Sequence, residues 1–256
     1  MVKLEAWRWV AVTCFGLTAY GFSQEKATPL TFEVATVRLT KPGELDGWIK
    51  ALPGGAEYTA HNIPVKLMIS LMYKVPMRQI SGGPDWMETD KYDVEAKADK
   101  SYSLDDLHTM YRGLLAERFH LKVRKEIHEG PVYALTVDKG GVKMKPDLSE
   151  QSYAIPITYS GEGAVGNRVP MSYLSWWLGQ QLQSESRPVV DETGLKENFD
   201  FTLSFTPPRL EGTDGGAAEK PSLFTAVKEQ LGLKLEAQKG PVEYYVIEHI
   251  ERPSAN

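Results

Sequence analysis

Cysteine is all but missing. Cys14 is the only one among the 256 residues, so no disulfide can form within the chain, and stability has to come from a buried core rather than from covalent staples. Concentrated positive charge is missing too. The 29 Lys and Arg against 34 Asp and Glu leave a net charge of −5, and no basic run is longer than the Lys122-Val123-Arg124-Lys125 cluster. That argues against nucleic acid as a partner, because phosphate binding needs a concentrated positive face. The cluster itself reads as a solvated strand face. After the N-terminal segment no apolar run approaches the ~20 residues that cross a bilayer, so no membrane span is expected in the mature chain.

Signatures of chemistry are absent as well. There is no Gly-x-Ser-x-Gly elbow for a serine hydrolase. No Gly-rich phosphate loop opens a helix, since Gly82-Gly83-Pro84 leads into Asp85-Trp86 and then a strand. The five histidines, His61, His108, His120, His128 and His249, fall into no ligand spacing. His120, Glu126 and His128 share one strand face, but a strand holds such residues apart at ~3.3 Å per residue. Asp90 and Asp93 read as turn and strand-face residues, Asp105 and Asp106 as complements to a helix dipole. A pair of glycosidase carboxylates stays open, because their required separation is spatial. No catalytic, cofactor-binding or metal-ligating residue is assigned, and no cofactor is expected.

What the chain does have begins at its start. Lys3 and Arg8 precede the apolar stretch Trp9–Tyr20, and Gly21 and Ser23 stand at −3 and −1 of a cut after Ser23. This is the layout of a signal peptide over residues 1–23. The expectation is an exported protein, periplasmic or extracellular after cleavage near Ser23. An uncleaved anchor, a buried first helix and a lipid on Cys14 stay open.

From Leu30 onward the pattern runs strand, helix, strand, strand, helix, strand, strand, and then repeats. "TFEVATVRL", "AEYTAHNIP" and "KYDVEAKA" alternate as strands. Lys41–Gly55 reads as a loop. Val65, Met68, Ile69, Met72 and Tyr73 fall at helical spacing, with Asn62 as the expected cap. "SLDDLHTMYRGLLAERF" is the strongest helix, with Ser103 as its cap and Asp105 and Asp106 in its first turn, and "SLFTAVKEQLG" is a short helix with Ser222 as its cap. The second half echoes the first. Ile63-Pro64 matches Val169-Pro170, Tyr92-Asp93 matches Phe199-Asp200, and Gly130-Pro131-Val132 returns at Gly240-Pro241-Val242. The Gly-Pro step reads as a turn between two strands that closes each unit. The fold class is α+β: two tandem similar modules, each packing helices on small mixed sheets. The first module is expected over 30–147, a linker over 148–163, and the second module over 164–253 with a flexible loop at 206–221.

The phrases "FEVATVR", "ISGGPDWMETDKYDVEAKA", "LLAERFHLKV", "GPVYALTVDKGG" and "RPVVDETGLKENFDFTLSFTP" resemble a large paralogous family of secreted acidobacterial proteins of unknown function, from about Phe32 to Ser254. The resemblance implies export. In some members a similar domain follows a membrane metallopeptidase of the antibiotic-sensor type, whereas this chain has no His-Glu-x-x-His. The resemblance brings no assigned activity, so no functional residue transfers. The order of elements is also similar to the short N-terminal domain of secretins and TonB-dependent receptors, which packs two helices against small sheets and docks other periplasmic proteins. That is a likeness of pattern alone.

Three aromatic residues stand out. Trp176 and Trp177 are neighbours on one helix and point about 100° apart, so both cannot be equally buried. Trp86 follows a Gly-Gly-Pro turn. Trp86 and one of the pair Trp176 and Trp177 are the candidate contact surface, against core packing for each. The functional expectation is a secreted or periplasmic, non-enzymatic binding or docking module whose partner is an unknown envelope protein or a small ligand. A hydrolase with an unrecognised carboxylate site and a partner domain for a membrane peptidase system stay open.

Overall fold

Alternation builds most of the strands. In Lys91–Lys97, Tyr92, Val94 and Ala96 are buried while Lys91, Glu95 and Lys97 are exposed, so one face drives the segment onto a core. The computed structural model describes residues 30–149, 155–160, 163–182, 187–206 and 220–253. The signal peptide read at 1–23, Cys14, and most of the loop read at 206–221 lie outside the described residues.

The first half contains β1 (Val34–Leu39), β2 (Trp48–Ala51), β3 (Glu57–Pro64), α1 (Val65–Tyr73), β4 (Ile80–Gly82), α2 (Trp86–Thr89), β5 (Lys91–Lys97), α3 (Leu104–Arg118) and β6 (Lys122–Val137). The second contains β7 (Lys145–Asp147), β8 (Ile157–Ser160), β9 (Gly163–Val169), α4 (Met171–Gln181), β10 (Val189–Asp191), β11 (Asn198–Leu203), α5 (Leu223–Ala226) with a π-turn at Val227–Leu231, and β12 (Leu233–His249). Ser103 caps α3 by accepting the Asp106 amide at 3.1 Å, and Ser222 caps α5 by accepting the Thr225 amide at 3.3 Å. Both caps follow from the sequence.

Three four-stranded sheets result among the described residues, and the helices pack on them, an α+β fold. The order β1-β5-β3-β2 in one outer sheet recurs as β7-β11-β9-β8 in the other. A smaller feature repeats too. Asn62 in β3 and Arg168 in β9 both have positive φ, 55° and 51°. Each lies where its strand slips register against β5 or β11. The Asp93 carboxylate accepts the Asn62 amide at 3.0 Å, and the Asp200 carboxylate accepts the Arg168 amide at 2.8 Å. Asn62 therefore does not cap α1, whose N-cap is Pro64. Its side-chain amide instead donates to the Glu44 and Asp46 carbonyls at 3.1 and 2.7 Å.

The central sheet, β10-β6-β12-β4, joins the halves. Here the expected Gly-Pro turn is overturned. β6 and β12 are each one continuous strand, and they pair antiparallel from end to end with Gly130 opposite Gly240. Two features let Gly-Pro lie inside a long strand. A Cβ on Gly130 would stand 3.1 Å from Val242 Cγ2, and one on Gly240 would stand 2.9 Å from Val132 Cγ2, so glycine makes room for the diagonal valines. The Tyr133 amide donates outward to the Pro188 carbonyl at 2.9 Å. By alternation, the nitrogen of Pro131 faces that same outer side, where β10 has not yet begun, so no ladder bond is lost.

The edges exchange across this ribbon. β4, from the first half, runs parallel to β12, and β10, from the second, runs parallel to β6. The cores follow suit. Ile247 of β12 is buried in the first core, with Tyr245 and Ile250 against it, while Tyr133 and Leu135 of β6 are buried in the second. Within the stretches read as loop and linker the structure places β2 and β8, and it places β7 in the last three residues read as the first module. β7 is Lys-Pro-Asp, with no alternation to read; its pairing with β11 makes it a strand.

Candidate functional site

Two surface depressions bring chemistry together. The larger, about 460 Å³, lies on the open face of the first outer sheet. Its polar groups are mostly engaged with one another. His61 stands between two carboxylates, Glu44 at 2.6 Å from Nε2 and Asp93 at 3.0 Å from Nδ1. Both contacts are hydrogen bonds only when both ring nitrogens carry a hydrogen. Burial pushes the Asp93 carboxyl up, but the Asn62 amide and the Thr40 hydroxyl, with His61 and Arg38 nearby, hold it below the usual carboxylate range. Arg38 pairs with Glu95 and Lys97 with Glu57. The Thr59 hydroxyl is buried there without a partner. The carboxylates flank His61 from opposite nitrogens rather than converging on a common point, and among the described residues no group of three His, Cys, Asp or Glu could hold a metal.

The second depression is a groove of about 320 Å³ to which both halves contribute. Alternation along the central ribbon explains it. Val123, Ile127, Tyr133 and Leu135 lie on one face of β6. Val123 packs on the first core, Tyr133 and Leu135 on the second, and Ile127 falls between them, 62% exposed. Ile127, Pro241 and Glu243 form the floor. Lys74, Val75, Pro76 and Gln79, which follow α1, form one wall. Ser175, Trp176 and Gly179 of α4, with Pro188, Val189 and Val190, form the other.

The electrostatics of this groove differ from those of the sheet face. Its charged side chains are already neutralised, Lys74 by Asp105 at 2.6 Å and Glu243 by Lys125 at 2.5 Å. Ser175 donates to the Ser172 carbonyl at 3.2 Å, but two other neutral polar groups have no partner among the described residues. Gln79 is only 4% exposed, yet its carboxamide makes no hydrogen bond among the described residues. Trp176 Nε1 is buried with no partner. The Trp176 nitrogen is sealed beneath the surface, whereas the Gln79 carboxamide retains a small accessible area that a ligand in the groove can pair with.

The three tryptophans do not form one patch. Trp86 is half-buried on the first core, edge-on to Tyr92 at 6.4 Å with the Arg252 guanidinium 5.1 Å from its ring centre. Trp177 is 6% exposed in the second core, edge-on to Phe205 at 5.9 Å. Trp176 is half-buried beside Tyr173 at 5.3 Å and lines the groove. The acidic pairs have structural partners: Asp90 accepts from Arg252 and Asp106 from Ser103, both at 2.8 Å. Glu126 and His128 do touch, at 2.7 Å, while His120 sits 3.9 Å from Glu251 instead. Gln79 and Ile127 escape a reading of the sequence alone. The one available signal was Ile127 itself, a lone apolar residue among Arg124, Lys125, Glu126, His128 and Glu129.

No curated protein and no solved structure matches this chain. A family model does match, over residues 66–250, a span from the start of α1 to the end of β12 that includes every residue lining the groove. By that match the chain belongs to the family described as "Protein of unknown function (DUF3738)".

Proposed function

We propose that this protein is a non-enzymatic binding module that holds its ligand, a small molecule or a segment of an envelope protein, in the groove between its two halves. The observation that carries the reading is the unpaired, almost wholly buried Gln79 carboxamide in an apolar groove built from both halves. Sites of this kind concentrate at such junctions, with apolar walls and a few polar groups that fix orientation. The signal-like pattern at 1–23 supports export as part of the same proposal.

Titration of the full chain with the neutral apolar dye N-phenyl-1-naphthylamine tests it. Saturable binding is expected. Ile127→Lys, at an exposed position on the groove floor, should weaken it at least ten-fold without moving the urea midpoint. Equal binding by this variant, or none by the unaltered chain, removes the groove reading. A screen on glycan and ester substrates should be blank, and turnover would overturn the non-enzymatic part.

A further inference from the structure

We infer that the ligand is a short, uncharged peptide segment with aliphatic side chains; this deepens the groove reading and rests on it. Three observations point the same way. First, no described side chain lining the groove carries an unpaired formal charge, since Lys74 and Glu243 are already held by Asp105 and Lys125. A phosphate, a fatty-acid carboxylate or a free peptide terminus would lose its hydration there without a counter-charge. Second, the unpaired groups have a definite complement. The Gln79 carboxamide presents donor hydrogens and an acceptor oxygen. Backbone peptide groups answer it: a ligand carbonyl for the Gln79 nitrogen and a ligand N–H for its oxygen. A plain hydrocarbon would leave both unpaired. Third, the remaining walls are aliphatic and ring carbons, among them Val75, Pro76, Ile127, Val189 and Pro241. These suit small aliphatic side chains, and about 320 Å³ is at the low end of the ~300–1,000 Å³ of small-ligand sites.

The test compares N-acetyl-Ala-Val-Ala-amide, the same tripeptide with free termini, and N-phenyl-1-naphthylamine on the full chain. Binding is read by displacement of the dye and by the indole N–H resonance of Trp176, assigned by its loss in Trp176→Phe. The capped peptide should displace the dye and move that resonance. The uncapped one should bind at least ten-fold more weakly. Gln79→Leu should weaken the capped peptide about three- to ten-fold, the range of one hydrogen bond, with the urea midpoint retained. A dye that binds while the capped peptide does not displace it overturns the peptide assignment and leaves the groove reading standing. Equal peptide affinity in Gln79→Leu also overturns it. Failure of both probes removes both readings.

Discussion

At the scale of single residues, the chain keeps a buried base neutral. His108 is 6% exposed, with the Tyr58 hydroxyl 3.2 Å from Nε2 and no partner for Nδ1. Burial, with the Lys74 cation nearby, lowers its pKa from 6.5 to about 4. Above pH 6.5 the ring is neutral whether the chain is folded or not. Between there and about pH 4 only the unfolded chain takes up the proton. Stability is therefore expected to fall as pH drops through that window, by up to about 3 kcal/mol. Urea midpoints measured from pH 7 to pH 4 should show the loss, and His108→Gln should flatten it. A midpoint independent of pH in the unaltered chain would count against the buried neutral ring. As a residue in the sequence, His108 is only one of five histidines without a ligand spacing. Its burial follows from the α3 stripe of Leu107, Met110, Tyr111, Leu114 and Leu115, but its contact with Tyr58 of β3 joins residues fifty positions apart.

Among the elements, the central ribbon is the least conventional. Long strands seldom place Gly-Pro at their middle; here both do, and the two sites face each other. The physical cause is the close approach of Val132 and Val242 to the opposing glycines. Gly240→Ala is expected to destabilise by about 1 kcal/mol, the range of mild overpacking, and less when Val132→Ala is already present. A double-mutant cycle on urea unfolding measures that coupling. Additive effects would mean that the valine is not what the glycine accommodates. The sequence shows the repeat of Gly-Pro-Val plainly, but the same letters serve a turn or a pairing centre. Only the partner strand distinguishes them. The short strands β2, β7 and β8 were equally hidden, because three or four residues hold too little alternation to read.

In the whole molecule the two halves interlock. β12 closes the first core with Ile247, and β6 closes the second with Tyr133 and Leu135. Each half alone would expose the apolar surface that its neighbour's strand covers. Residues 30–147 and 164–253, prepared separately, are expected to unfold without a cooperative urea transition, and mixing them should restore one. A cooperative transition by 30–147 alone would show that the first module is self-sufficient. The groove depends on the same interlock, since its walls come from α1's end in one half and from α4 and β10 in the other.

The sequence by itself determined the α+β class, the duplication, the caps at Ser103 and Ser222, and the lack of any disulfide within the chain. These are local: alternation, helical spacing and capping are written within a dozen residues. Only the tertiary structure decided that Gly-Pro pairs rather than turns, that β4 and β10 cross to the opposite half, and that Trp176 and Gln79 line one groove. Those outcomes depend on the register of a sixteen-residue strand against a seventeen-residue one. Register is set by the summed packing of both cores, which no short window of the chain contains.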